Sequence, residues 1–374
     1  MADDTDTKTP EPTEATPGSF QRGVMRLPVR TIILSVLSIV LLFFIAWGTS
    51  RTLSLEVSTF SGDGWKRLIS DGVARGAIYA LIAMGYTLVY GILFMINFAH
   101  GEVFMSGAFT AFFMARWLDQ TGFLNQQPII SLLILFVISM AVSTTIAVVL
   151  ERVAYRPLRG APRLVPLITA IGASLFLQNT FRGFYGASAE AYPTIDLLAG
   201  SINILGWPMR KIQLVVVLAA GALMLGLFLF IRKTKTGRAM RAVGEDKEIA
   251  SLMGIDVDRT IVSTFAIGGL LAGAAGILFV YLFRGGSVNF FMGFFPGIKA
   301  FTAAVLGGIG NVVGAGVGGL LLGVFEAVGP FLLLEGFNVP SPNQLQLVIA
   351  FSILVLVLIF RPGGLLGSPD EERA

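Results

Sequence analysis

The groups in this chain best placed to do chemistry sit together in residues 95–107, MINFAHGEVFMSG, where Asn97, His100 and Glu102 stand beside glycines in otherwise apolar sequence. An amide, an imidazole and a carboxylate so close together can move a proton, hold a metal or bind a polar cargo. The first two uses need further partners, and the chain offers few: one histidine, no cysteine and no clustered acids facing one cavity. Thiol redox chemistry, thiolate metal sites and disulfides are excluded, and no nucleophile with its base is in view, so an enzyme is not expected. Nor is a metal or cofactor held by this chain. Burying such polar groups in hydrocarbon costs several kcal/mol unless they meet partners or water. Either a helix breaks here to line a polar path, with Asn97, His100 and Glu102 on it, or this is an ordinary turn at the membrane surface. In a surface turn, His100 and Glu102 would be solvated and cap a helix start.

A second unusual stretch is Pro296 to Gly323, PGIKAFTAAVLGGIGNVVGAGVGGLLLG. Gly307, Gly308 and Gly310 favour a turn over continuous helix, so Gly307 to Asn311 is expected to separate two half-helices. Gly310, Gly314 and Gly318 recur every four residues and leave a smooth face for another helix. Packing is the expected role of most of these glycines, and Asn311 joins the candidates for the path. Lys299 is expected to snorkel to the interface. Glu326 shows no obvious partner and can face the bundle interior.

A third stretch, Arg232 to Arg259, is polar and carries seven basic residues: Arg232, Lys233, Lys235, Arg238, Arg241, Lys247 and Arg259. The positive-inside rule puts it in the cytoplasm. It contains a short amphipathic helix candidate starting near Gly244, with Glu245 and Asp246 at the positive end of its dipole and Gly254 ending it. Ile249, Leu252 and Met253 form one apolar stripe. So small a stripe suits the groove of another protein, or a lipid surface on which the helix lies flat.

The elements that position these stretches are membrane spans. A chain of 374 residues, 55% hydrophobic and 13% charged with mean hydropathy +0.79, is a polytopic membrane protein. The expected fold is an all-α helical bundle with broken or re-entrant segments. Residues 1–30, rich in Thr, Pro, Asp and Glu, have too little apolar surface to order. Thr31 to Trp47 is an extra N-terminal span within 31–48, read as an uncleaved anchor. Further spans are Gly72–Leu93, Glu102–Leu118, Ile129–Leu150, Leu164–Phe181, Ile212–Ile231, Thr260–Phe283, a broken pair within Gly297–Gly329, and Leu345–Phe360. With the charged loop inside, alternation gathers Lys8, Arg22, Arg26, Arg30, Arg152, Arg156, Arg159, Arg163, Arg361 and Arg373 on the same side. Outside are Arg51, Lys66, Arg67, Arg210, Lys211 and Arg284. Both termini, including the tail 368–374, are then cytoplasmic. Trp47, Trp65, Trp117 and Trp207 fall at or near outer ends, where the indole prefers to sit. The long outer segment Arg182 to Lys211 is either a docking surface or a simple connection.

Two resemblances follow from these residues. Glu248-Ile249-Ala250-Ser251-Leu252-Met253-Gly254 resembles the loop by which ABC importer permeases dock on their ATPases, departing from it at Ile249 and lacking a following Leu-Pro. More broadly, Gly76 to Glu102, Glu151 to Pro157 (ERVAYRP), Thr236 to Arg259 and Lys299 to Gly310 (KAFTAAVLGGIG) resemble the LivH-type permease of bacterial branched-chain amino acid ABC transporters. The likeness covers roughly residues 65–367, which form the expected permease domain with its coupling loop at 232–259. The N-terminal span is the departure.

The resemblance implies an ABC importer permease fold and alternating access in the bacterial inner membrane. It implies a second, homologous permease chain of the LivM type, two ATPases carrying ATP and magnesium, and a periplasmic binding protein delivering Leu, Ile or Val. Relatives carrying urea, amides or other amino acids keep the cargo open. Glu245, Glu248, Ile249, Leu252, Met253 and Gly254 become the ATPase-coupling residues. Independently of the resemblance, Gly-Lys never occurs in the chain, so it forms no P-loop. A self-contained carrier or channel would need intramembrane carboxylates, for which only Glu102 and Glu326 qualify.

Overall fold

The computed structural model describes residues 26–54, 62–162, 164–204, 206–283, 286–361 and 363–367. Most of the N-terminal segment 1–30 and the tail 368–374 lie outside them. The rest is almost all helix, as the sequence leads one to expect: α1 (Arg26–Ser54), α2 (Gly62–Leu93), α3 (His100–Gln120), the single turn α4 (Phe123–Gln126), α5 (Pro128–Leu150), α6 (Leu164–Tyr185) and α7 (Lys211–Lys233). Then come α8 (Lys235–Glu245), α9 (Lys247–Leu252), α10 (Val257–Leu282), α11 (Phe294–Gly307), α12 (Val312–Gly329) and α13 (Gln346–Phe360). Among the described residues, seven helices are long and apolar enough to cross a membrane. Helix α3 is not among them. Polar residues open it, yet most of its length is buried in protein, so its outer surface need not satisfy lipid.

The bundle has a centre and a rim. Helices α2 and α10 are largely buried, whereas α5, α7 and α13 turn most of their apolar surface outward. The centre closes through small residues. A side chain at Gly319 would strike the backbone of Ala80, and one at Gly323 that of Gly76, so α2 and α12 approach to backbone contact. Hydroxyls add cross-ties: Ser139 Oγ donates to the Gly273 carbonyl at 2.7 Å and Ser143 Oγ to the Val103 carbonyl at 2.8 Å, joining α5 to α10 and α3.

The expected break between half-helices is present. Gly308 and Gly310 take φ of +105° and +97°, a region that costs other residues strain. Asn311 caps α12, its Oδ1 accepting from the amides of Val313 and Gly314 at 3.0 Å. Its Nδ2 donates to the Leu366 carbonyl at 2.8 Å. Residues 363–367 clasp the break, since the amides of Leu365 and Leu366 reach the carbonyls of Leu306 and Gly307 at 2.9 Å. Gly314 and Gly318 face α11 across this hairpin. The smooth face is therefore used within the chain, against α11.

Helix α1 contains the whole N-terminal span and packs on residues 330–337, where Trp47 meets Phe337 edge-on at 5.7 Å. The long segment after α6 is ordered rather than a bare connection. Its strand β1 (Glu190–Ala191) pairs antiparallel with β4 (Ser287–Val288), and β2 (Ser201–Ile204) with β3 (Trp207–Arg210), Ser201 opposite Arg210. Tyr192 ties it down by donating to the Ala108 carbonyl at 3.1 Å.

Candidate functional site

The charged stretch folds as two helices. Helix α8 runs through Glu245, and Asp246 is the N-cap of α9, accepting from the amides of Glu248 at 2.8 Å and Ile249 at 2.9 Å. Glu245 thus closes the preceding helix instead of opening the amphipathic one, because Lys235 to Glu245 supports a helix of its own, capped by Thr234. At the other end, Gly254 takes φ +81°, and the bonds from Ile255 N to Ala250 O and from Gly254 N to Ser251 O form a Schellman stop. Caps at both ends hold a helix too short to persist by itself. Its apolar residues face away from the protein: Ile249 is 60% exposed, Leu252 87% and Met253 78%. Only Ala250 of α9 is buried.

The end of α8 rests on α2, and α9 touches the residue just past it. Gly244 sits against the Gly91 carbonyl, where a Cβ would come to 2.8 Å, and Lys247 lies over the Phe94 ring at 6.0 Å. Burial there, with the Arg159 charge adding, holds the Lys247 ammonium below the ordinary lysine range. Phe94, with φ +53°, starts the break that leads into α3. On the same face Arg159 bridges Glu151 and Asp258, and Arg156 also pairs with Asp258, tying the end of α5 to the start of α10.

The polar side chains at the break are buried, which rules out the solvated turn. Asn97, His100 and Glu102 are all at most 3% exposed. They do not share one cavity. The Asn97 Oδ1 accepts from Tyr155 Oη at 2.6 Å. His100 is packed between Gly85, Gly268 and the Tyr86 ring, 4.7 Å away, with its Nε2 unpartnered among the described residues. Glu102 points the other way, toward α6. Its Oε1 accepts from Gln178 Nε2 at 2.7 Å and Ser174 Oγ at 3.2 Å, while its buried Oε2 has no partner among the described residues. Glu102, Ser174 and Gln178 line a cavity of about 350 Å³ with Ile171, Leu175 and the first turn of α11. Asn311 does not line it; it caps α12 and lines a separate cavity of about 600 Å³ with Arg232 and Arg241. Ser174 and Gln178 were legible as polar residues one turn apart in an apolar span, but only the fold shows that they face Glu102.

A second buried carboxylate corrects two expectations. Lys299 does not snorkel: its Nζ lies 2.8 Å from Glu326 Oε1. Glu326 also accepts from Tyr79 Oη at 3.3 Å and has the Arg75 guanidinium at 3.6 Å. One carboxylate thus joins α2, α11 and α12.

A multi-pass bundle with a broken hairpin, a buried carboxylate beside a cavity and an exposed helix offered at one end is the architecture of a membrane permease. The family model described as "Branched-chain amino acid transport system / permease component" matches residues 68–358, and the chain belongs to that family. The permease protein BraD of Pseudomonas aeruginosa, named for high-affinity branched-chain amino acid transport, is 44% identical over 306 residues, covering 81% of this chain and 96% of that protein. LivH of Salmonella typhimurium, named for the same transport, is 41% identical with the same coverage. A probable LivH of Methanocaldococcus jannaschii is 26% identical over 81% of this chain and 93% of its own length.

Proposed function

We propose that this chain is a permease subunit of a binding-protein-dependent ABC importer carrying leucine, isoleucine and valine across the bacterial inner membrane. The observation that carries this reading is α9, an exposed apolar helix capped at both ends, in a chain whose relatives at 41–44% identity are named for that transport. The charged face with α8 and α9 is cytoplasmic, as are both termini, and the strands of residues 190–210 face the periplasm. A second permease of the LivM type completes the pathway. ATP and magnesium belong to two ATPase subunits, since this chain has no Gly-Lys to build a P-loop. A periplasmic binding protein delivers the cargo.

Coupling runs through contacts already described. Closure of the ATPases moves Ile249, Leu252 and Met253; α9 bears on Phe94 through Lys247, and the adjoining α8 on the end of α2; residues 94–99 lead into α3 and Glu102. Two rigid helices joined at a break can take two arrangements, which is what a transmitted movement needs. The test is uptake of radiolabelled leucine and urea by cells expressing the complete transporter with and without this chain. Loss of leucine uptake alone is expected. Unchanged leucine uptake, or loss of urea uptake instead, overturns the cargo assignment.

A further inference from the structure

We infer that the cavity beside Glu102 is the transporter's amino-acid subsite, in which the Glu102 carboxylate takes the ammonium of the cargo and the start of α11 takes its carboxylate; this rests on the reading of the chain as an amino-acid permease. Three separate features of the cavity meet the three parts of an aliphatic amino acid.

The first is charge. Glu102 is 1% exposed and holds its carboxylate on one oxygen with two neutral donors, Gln178 at 2.7 Å and Ser174 at 3.2 Å. Among the described residues no cation pairs with it, and its Oε2 has no partner at all. A buried carboxylate in this condition is stabilised by an incoming cation. A cargo ammonium brings three donors, one for the orphaned Oε2. The second is the helix end. Gly293 and Phe294 open α11 and line the same cavity, so the positive dipole end of a 14-residue half-helix faces the space beside Glu102; the amides of Phe294 and Gly297 are taken by the carbonyls of Phe291 and Gly293 and Pro296 has none, so this end acts through its dipole. An anionic carboxylate suits that end. The third is apolar lining. Ile171, Leu175 and Ile298 offer a branched side chain a surface without polar demands. At about 350 Å³, the space lies within the range of small-molecule sites.

The Oε2 atom is covered in this arrangement. Cargo reaches it when α6, which carries both neutral donors, shifts away from α3. Gln178 and Ser174 then act as placeholders that keep the carboxylate solvated by protein while no cargo is present.

The test uses the complete transporter in proteoliposomes with saturating leucine-loaded binding protein, and reads leucine moved per ATP hydrolysed. Glu102→Gln is expected to lower that ratio about tenfold or more, the scale of one lost charge-assisted hydrogen bond, and Glu102→Asp to restore part of it. A ratio unchanged by Glu102→Gln overturns the inference. So does a proportional fall in both transport and hydrolysis, which marks a structural role. Should Glu102→Gln fail to assemble with the ATPases, Leu175→Trp, which fills the cavity from α6 without touching the carboxylate, decides by the same ratio. Wild-type transporter that moves no leucine instead overturns the cargo assignment itself, whereas wild-type transport with an unaffected variant overturns the subsite alone.

Discussion

Glu326 and Glu102 are both buried to about the same degree, at 1% exposure each, and both hang from helices that pack at the centre of the bundle. Their surroundings differ. Glu326 is matched by full charges: Lys299 at 2.8 Å and Arg75 at 3.6 Å, with the Tyr79 hydroxyl at 3.3 Å. Glu102 has an amide and a hydroxyl, both on α6. The first arrangement is closed. Neither partner can leave without stranding a charge in low dielectric, so the network behaves as a cross-link among α2, α11 and α12. The second keeps its charge with dipoles alone; in both, Oε2 is unmatched among the described residues, so the difference lies in the charge of the partners on Oε1. In one fold, burial of a carboxylate serves both to fasten helices and to hold a charge ready for something that comes and goes.

The comparison breaks if the two sites respond alike to mutation. Glu326→Ala leaves Lys299 and Arg75 without their anion and is expected to cost about 3–5 kcal/mol, read as a large drop in thermal unfolding temperature of the purified protein. Replacing the pair together, Lys299→Met with Glu326→Leu, should recover most of that loss, because apolar groups of similar volume need no counter-charge; a double variant as unstable as Glu326→Ala would show that the network is not a closed pair. Tyr155→Phe strands the buried Asn97 oxygen and should cost about 1–3 kcal/mol by the same assay. Glu102→Gln keeps an acceptor for Gln178, so its stability should change by no more than about 1 kcal/mol; a loss as large as that of Glu326→Ala would erase the distinction. The smallest stability effect belongs to the surface. Replacing Leu252 and Met253 by Asp should leave unfolding unchanged, since both side chains face away from the fold, yet abolish co-purification of the ATPases. Normal co-purification would sink α9 as the docking element.

Much of this was legible beforehand, for local reasons. The half-helix break at Gly307 to Asn311 is written in a run of glycines followed by an N-cap asparagine, and turn chemistry acts over a few residues. The outward stripe of Ile249, Leu252 and Met253 followed from helical spacing, and Gly254 marked its end correctly. Glu245 was misplaced because Lys235 to Glu245 reads as merely basic until Thr234 is seen capping it. Pairings were not legible. Lys299 and Glu326 lie on different half-helices and meet only because the hairpin folds back, so Lys299 alone looked like an interfacial lysine. Glu102 to Gln178 is likewise a tertiary contact. The polarity of Asn311 makes it a path candidate in the sequence, and only the fold shows that both ends of its amide are engaged at the break.

The clasp of residues 363–367 on that break also orders events in time. The carbonyls of Leu306 and Gly307, at the end of α11, stay unmatched until the amides of Leu365 and Leu366 arrive. Those residues follow α13 in the chain, so α11 and α12 can be inserted during synthesis while the turn between them stays open. The fold is locked only after one more helix has been translated, which makes its closing seam a record that the segment through α13 has been made.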